Sequence, residues 1–230
     1  MCHLPDPAME DLPFRDRTQA GRLLSRKLAG YADRADVIVL ALPRGGVPVG
    51  YEVAKALRAP LDVFLVRKLG VPSQEELAMG AIAAGGVRVL NEDVVRALGI
   101  SPRVIDSVAA RELRELVRRD QLYRARRSAP HVDGRTLILV DDGLATGSTM
   151  RAAIRALRQK KPSRIVVAVP VAAAPTCEEL SRLVDAMVCY ATPEPFYSVG
   201  FWYEDFSQTT DQEIRDLLER AGKEMTPVVP

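Results

Sequence analysis

The sequence predicts an α/β fold with a doubly wound, mainly parallel sheet. Aliphatic runs at residues 37–42, 137–140 and 165–171 are each followed by a turn and then by a segment with apolar residues at helical spacing. Continuous apolar runs are typical of strands covered on both faces by helices, because a strand with one solvated face alternates apolar and polar residues. Strands that alternate with helices along the chain indicate parallel pairing through crossover helices.

The first half of the chain is predicted to end in a helical insertion. Three prolines interrupt regular structure in residues 1–13, which we predict to be an N-terminal tail. The elements predicted next are a helix over 14–31, a strand over 37–42, a helix over 47–57, a strand over 61–66, a loop returning through a hairpin over 69–90 and helices over 91–98 and 102–127. The last of these helices carries an apolar stripe, which predicts one buried face. The stripe consists of Ile105, Ala109, Leu113 and Leu116.

The second half continues the alternation of strands and helices. Its predicted elements are a strand over 137–140, a helix over 150–160, a strand over 165–171, a helix over 176–183, a strand over 186–190, a loop over 192–206 and a helix over 212–221. The loop holds six of the twelve aromatic residues of the chain. We therefore predict one domain over residues 14–230, with an insertion at 91–127 and a separate aromatic segment at 192–206.

The strongest functional signal follows the strand at 137–140. Asp141 and Asp142 stand where this strand would leave the sheet, and a loop with two glycines and three hydroxyl residues then leads into a helix. Clefts at the carboxyl ends of parallel strands bind ligands, and backbone amides at a helix N-terminus suit a phosphate. Because adjacent acids repel a phosphate, they need hydroxyl donors or a cation. The expected ligand carries a phosphate and a diol, as a ribose 5-phosphate does.

The run from Val140 to Thr149 resembles the phosphoribosyl-pyrophosphate (PRPP) signature of type I phosphoribosyltransferases. The resemblance covers residues 14–221 and implies that family's fold, with a flexible lid hairpin and a C-terminal hood. It also implies that Asp141 and Asp142 hold the ribose 2- and 3-hydroxyls. The segment that would cup the 5-phosphate consists of Ala145, Thr146, Gly147, Ser148 and Thr149. The alternative is an ordinary strand-to-helix turn with capping residues such as Asp142 and Thr146.

Two further segments extend the resemblance. The family's pyrophosphate loop, often with a non-proline cis peptide, corresponds to Pro43, Arg44, Gly45 and Gly46, and the cis bond would join Pro43 to Arg44. Glycines let an anion approach backbone amides, although a simple tight turn is the alternative. Arg67 and Lys68 resemble the Val-Arg-Lys segment that precedes a mobile lid in adenine phosphoribosyltransferases, and the alternative is that they are solvated strand-end charges. With Arg-Lys-Leu-Gly after the second strand, the chain is most similar to uncharacterised bacterial phosphoribosyltransferase-like proteins.

The resemblance also implies an acceptor site and a metal. Phe196, Phe201 and Trp202 are candidates for stacking on the acceptor base, because flat bases stack on aromatic faces. For most of the aromatic residues we favour the alternative, a hydrophobic cluster that anchors the last helix. The implied cofactor is Mg²⁺, which Asp141 and Asp142 would face indirectly, through PRPP or water. The catalytic residues would then be Arg67, Lys68, Asp141 and Asp142.

Composition argues against nucleic-acid binding, membrane insertion and a disulfide framework. The net charge of +2 offers no large basic field for nucleic acid, and no apolar stretch reaches membrane-spanning length. The three cysteines are too few and scattered for a disulfide framework, so we expect Cys177 and Cys189 to be small core residues in a reducing compartment. The polar N-terminus is unlike a signal peptide. We expect a cytoplasmic homodimer.

Three functions from different classes follow, in order of preference. The first is Mg²⁺-dependent transfer of the phosphoribosyl group of PRPP to a nucleobase or related nitrogen heterocycle, with release of pyrophosphate. The second is a regulator that senses PRPP without turnover. The third is a hydrolase or phosphotransferase on another sugar phosphate, which no Ser/His pairing supports.

Overall fold

The computed structural model describes residues 11–72, 74–124 and 128–225. At its centre five parallel strands form one sheet. In chain order these strands are β1 (Val37–Ala41), β2 (Leu61–Val63), β6 (Thr136–Val140), β7 (Arg164–Val171) and β8 (Ala186–Ala191). The strand order across the sheet is β2-β1-β6-β7-β8. The predicted doubly wound parallel sheet is confirmed.

Helices precede, connect and follow these strands along the chain, close to the predicted positions. They are α1 (Arg17–Lys27), α2 (Gly46–Leu57), α3 (Glu92–Ala97), α4 (Pro102–Arg124), α5 (Ser148–Arg158), α6 (Ala174–Ser181) and α7 (Asp211–Glu224). Helix α1 begins later than predicted because Asp16 caps it, accepting a hydrogen bond from the Gln19 amide. Thr210 and Glu213 form a reciprocal capping box at the start of α7.

The alternation of side chains along β1 divides the core into two layers. Val37, Val39 and Ala41 pack with α2 and α7 on one face. Ile38 and Leu40 pack with α5 on the other. All five residues of β1 and of β6 are buried, because helices cover both faces of the sheet at these central strands.

A second, antiparallel sheet follows β2 and corresponds to the predicted lid hairpin. Its strands are β3 (Val66–Val71), β4 (Gln74–Ala83) and β5 (Arg88–Leu90), and we call it the lid sheet. Gly85 and Gly86 make the β4–β5 turn with φ of 87° and 79°, a region that favours glycine. The predicted strand over 61–66 ends early, at Val63, and the chain passes through buried Phe64 and Leu65 into β3.

The predicted insertion connects the lid sheet to the main body. Helix α4 packs against β3, β4 and α7, with Ile105, Ala109 and Leu116 buried and Leu113 packed against the core. The predicted apolar stripe is therefore confirmed. The end of the predicted helix, residues 125–127, lies outside the described residues, as do residues 1–10 of the predicted tail.

The expectation for the cysteines was wrong. A disulfide joins Cys177 on α6 to Cys189 on β8, with their Cα atoms 7.1 Å apart. Sequence spacing did not reveal the pair, because α6 folds back on β8 and brings together residues that are 12 positions apart.

The contact between α4 and α7 leads to a test of stability. The Tyr123 hydroxyl donates a 2.6 Å hydrogen bond to Asp211 Oδ1, and burial, aided by Asp211, raises the pKa of Tyr123 from 10.0 to about 12. We expect Tyr123→Phe to lower the free energy of unfolding by about 1 kcal/mol at neutral pH. Since the folded state favours the neutral phenol, the contribution is complete below pH 10 and is lost as the pH rises towards 12.

Urea unfolding at pH 7 to 11.5 measures this effect. The exposed Tyr197→Phe is the matched control and should leave stability unchanged at every pH. A Tyr123→Phe variant that matched the original protein at pH 7 would contradict the assignment.

Candidate functional site

The site begins where β1 and β6 end side by side. The two strands pair in parallel register, with Ala41 opposite Val140, and the Leu42 amide bonds the Val140 carbonyl at 2.9 Å. The chain continues from β1 to β2, the neighbour of β1 on one side of this pair. From β6 it continues to β7, the neighbour of β6 on the other side. The loops therefore separate at a topological switch point, where open α/β sheets form a crevice.

Two sequence-predicted loops meet in this crevice. A Cβ on Gly45 would lie 1.9 Å from Asp142 Oδ2, and one on Gly46 would lie 2.7 Å from the Val140 carbonyl oxygen. Only glycine allows this approach, so the 43–46 loop lies directly on Asp141 and Asp142, which we call the acid pair. The Pro43–Arg44 peptide is cis, as the resemblance implied.

The acid pair has partners that sequence reasoning missed. Arg17 Nε donates to Asp142 Oδ2 at 2.8 Å, and both side chains are largely buried. The Tyr203 hydroxyl donates to the Asp142 carbonyl oxygen at 2.6 Å. Arg17 is held by the Ser207 carbonyl at 2.7 Å and lies 4.0 Å from the centre of the Phe206 ring. Neither α1 nor the 203–207 segment carries a motif that indicates these contacts.

Burial sets the charge state of the acid pair. It raises the pKa of Asp141 well above its usual range, and the charge of neighbouring Asp142 raises this pKa further. Burial also raises the pKa of Asp142, although Arg17 opposes the shift. A pair of this kind ionises fully only when hydroxyl donors or a cation offset the repulsion. Carboxylate oxygens are suitable ligands for Mg²⁺. Two adjacent acids would suit an Mg²⁺ ion that takes its other ligands from water or a phosphorylated substrate.

The 145–149 loop forms an open helix N-terminus beside the acid pair. Gly147, with φ of 66°, precedes α5, and no side chain caps this helix. Its first amides therefore have no partner within the helix. Thr176 donates to the Ala145 carbonyl and Arg151 to the Thr146 carbonyl, both at 2.5 Å, which fixes the loop from outside. The result is a set of amides suited to an anion.

Arg67 and Lys68 occupy a different position from the one predicted. They lie within β3, not at the end of a sheet strand. They line a cleft of about 310 Å³ that also includes Thr149 of the 145–149 loop and Arg111 and Glu112 of α4. The predicted alternative of solvated strand-end charges is wrong for Arg67, because its Nε donates to the buried carboxylate of Glu112 at 2.5 Å.

The aromatic segment at 192–206 forms the predicted hydrophobic cluster, but with a different partner. Phe196, Trp202 and buried Tyr203 pack with Phe14 and α1 rather than with the last helix. The Phe14 amide also donates a 2.9 Å hydrogen bond to the Trp202 carbonyl oxygen. A backbone hydrogen bond therefore joins the segment at Phe14 to this loop. Phe201 is 58% exposed.

Comparison with known proteins identifies the family. Residues 16–192 match the phosphoribosyl transferase domain family. The chain belongs to this family of transferase enzymes. Among the residues that the structure covers, no helix has the length and apolar character needed to cross a membrane.

Relatives agree with this assignment. Two curated relatives from Mycobacterium tuberculosis, strains CDC 1551/Oshkosh and ATCC 25618/H37Rv, are named provisionally as phosphoribosyl transferases and are 47% identical to this chain over 211 residues. The match covers 92% of this chain and 47% of each relative, so the chain spans about half their length. The crystal structure of TT1426 from Thermus thermophilus is 41% identical, with a TM-score of 0.81 over 90% of this chain and 98% of that one.

A more distant structure shares the fold alone. The AQ2163 protein from Aquifex aeolicus has a TM-score of 0.51 at 12% identity, over 94% of this chain and 96% of that one.

The contact between the 43–46 loop and the acid pair is open to a direct test. We expect Gly45→Ala to lower the free energy of unfolding by about 1–3 kcal/mol, because the new methyl group overlaps the Asp142 carboxylate and forces the loop or the Arg17 pair apart. Gly30→Ala is the control, since a Cβ there meets nothing within 4 Å. Chemical denaturation measures the free energy of unfolding of both variants. Equal values would show that the 43–46 loop can move away from Asp142 without loss of stability.

Proposed function

We propose that this protein transfers the phosphoribosyl group of PRPP to a nitrogen heterocycle, with release of pyrophosphate and dependence on Mg²⁺. One observation carries the proposal: the glycine-rich loop after β1 packs without any intervening side chain on the acid pair after β6. Two such loops at one switch point suit a ligand that carries both a diol and phosphates. Family membership supports the same reaction class.

The two phosphorylated ends of PRPP have separate candidate sites. The uncapped amides of α5, with Thr146, Ser148 and Thr149, suit the 5-phosphate. Arg44, the backbone at Gly45 and Gly46, and the Arg67–Lys68 pair suit the diphosphate. The Arg44 guanidinium adds charged hydrogen-bond donors to the 43–46 loop, which suits an anion.

The acid pair suits the ribose between these ends. Its carboxylates accept hydrogen bonds from the 2- and 3-hydroxyls, and Arg17 and Tyr203 hold Asp142 in place for that role. Mg²⁺ would supply positive charge at the diphosphate and the ribose hydroxyls as the leaving group departs. The bond from C1 to the diphosphate oxygen breaks, a nitrogen of the acceptor bonds to C1, and the acceptor loses its proton to solvent or to the leaving group. Fixed cations beside the diphosphate favour this charge movement.

A cavity lined by the segments that follow β7 and β8 is the proposed acceptor site. It has a volume of about 610 Å³ and follows the carboxyl ends of β7 and β8. Its lining consists of Ala173, Ala174, Pro175, Glu194, Pro195 and Phe196. Of the three predicted stacking residues, only Phe196 lines this cavity. Val199 packs on Gly143, which brings the aromatic segment against the start of the 143–149 turn.

The cytoplasmic location and the homodimer remain predictions from composition and resemblance. The small-molecule partners that we propose are PRPP and a nitrogen base, without nucleic acid or membrane.

A panel of acceptors tests the reaction. Purified protein with PRPP and Mg²⁺ is offered adenine, guanine, hypoxanthine, xanthine, uracil and orotate, and pyrophosphate release is measured. We expect release with one base or a related group of bases. Tight PRPP binding without release across the panel would contradict turnover and favour a sensor.

The acid pair is tested by charge removal at constant size. We expect the double variant Asp141→Asn, Asp142→Asn to lose at least tenfold in PRPP affinity, a change of about 1.4 kcal/mol, while the fold survives. The control is Asp33→Asn, an exposed acid before β1 at the opposite end of the sheet. Calorimetry gives the affinities and circular dichroism the fold. Unchanged affinity in a folded double variant would remove the ribose assignment.

A further inference from the structure

The insertion helix α4 reaches into the cleft that contains Arg67 and Lys68. The charged residues lining this cleft are three cations, Arg67, Lys68 and Arg111, and one carboxylate, Glu112. Thr149 of the 145–149 loop lies at the same cleft. Both Arg111 and Glu112 belong to α4, so the insertion contributes directly to a cleft next to a proposed phosphate site.

Glu112 is an acid on the buried face of its helix. It lies three residues after Ala109 and four before Leu116, and only 7% of its surface is exposed. A carboxylate in such a position is unfavourable unless it is paired. Burial raises the pKa of Glu112, but hydrogen bonds from Arg67 and Arg111 outweigh burial and hold this pKa below its usual value. Glu112 is therefore a charged bridge between β3 and α4.

The geometry of the bridge leaves cationic groups available. Glu112 Oε2 accepts from Arg67 Nε at 2.5 Å, and Oε1 accepts from Arg111 Nε at 3.0 Å. In the described part of the chain, no hydrogen bond uses the terminal Nη nitrogens of either arginine. When Nε holds the guanidinium in place, its two Nη nitrogens can both donate hydrogen bonds to a phosphoryl group.

We propose that Arg111 is a further diphosphate-binding residue and that Glu112 is the positioning residue that fixes Arg67 and Arg111 for this ligand. The inference rests on the proposed function and deepens it, because it assigns the insertion a role in holding the diphosphate of PRPP or the released pyrophosphate. Three cations around one cleft match the high charge of that group, and one carboxylate shared by two arginines orders both forks before the ligand arrives. Ordering in advance lowers the entropic cost of binding.

The experiment measures binding of inorganic pyrophosphate with Mg²⁺, and separately of ribose 5-phosphate, by calorimetry. We expect Arg111→Gln to weaken pyrophosphate binding about tenfold and to leave ribose 5-phosphate binding within about twofold. Arg111→Lys keeps the cation and should recover part of the loss. Arg114→Gln, which removes an exposed charge from the same helix outside the cleft, is the matched control and should change neither affinity.

Glu112→Gln tests positioning. We expect the same selective loss for pyrophosphate and, in the reverse reaction, a raised KM for pyrophosphate with an unchanged KM for the nucleotide. If this variant does not fold, Arg111→Gln decides alone, since the Arg111 side chain is 58% exposed and its loss leaves the core intact.

The outcomes separate this inference from the proposed function. No pyrophosphate binding by the original protein would remove the proposed function itself. Binding by the original protein that Arg111→Gln leaves unchanged would overturn only the inference. An equal loss of pyrophosphate affinity in Arg114→Gln would also overturn it, since the loss would then reflect the total charge of α4 and not a contact made by Arg111. A larger loss for ribose 5-phosphate than for pyrophosphate would place Arg111 at the other end of the donor and overturn the diphosphate assignment.

Discussion

The parallel pairing of β1 with β6 is the constraint on which the rest of the structure depends. Its register places Ala41 opposite Val140, so the two strands end together and their loops leave side by side. Gly45 and Gly46 then lie so close to the acid pair that no Cβ fits between them. Because both strands are buried on both faces, a slip in register would disturb two helical layers at once. Core packing and site geometry therefore reinforce each other at this point.

The acid pair also accounts for the contact between α1 and the aromatic segment that follows the last strand. Arg17 comes from the first helix, and Tyr203 comes from the aromatic segment after the last strand. Both contact Asp142, and Phe14 joins their segments through backbone hydrogen bonds. A buried carboxylate needs a partner, and removal of one member of such a pair leaves an uncompensated charge. This requirement links the site to segments about 190 residues apart, such as Arg17 and Ser207.

The lid sheet and α4 form a second structural unit, which is also joined through a buried, paired carboxylate. Glu112 bridges Arg67 of the lid sheet and Arg111 of α4, while Tyr123 connects α4 to α7 and so to the main body. The lid sheet is thus not joined to the domain by its connecting segment alone. Its cationic strand has a defined position relative to α5, because Thr149 lies at the same cleft. The insertion, whose role the family resemblance left open, fixes that position together with α5, which packs directly against β3 and β4.

The sequence by itself determined the parallel sheet, nearly all its helices and the two loops at the switch point, because aliphatic runs, helical periodicity and glycine-rich turns are local signals. One missed residue also had a local signal: Glu112 falls on the same helical face as Ile105, Ala109 and Leu116, where a lone acid indicates a buried partner. Only the tertiary structure decided that Arg67 lies inside a strand, that Cys177 meets Cys189, that the aromatic segment packs on α1, and that Arg17 holds Asp142. These contacts join residues on separate elements. They depend on the pairing of buried charges and the packing of rings across those elements, which no single segment encodes.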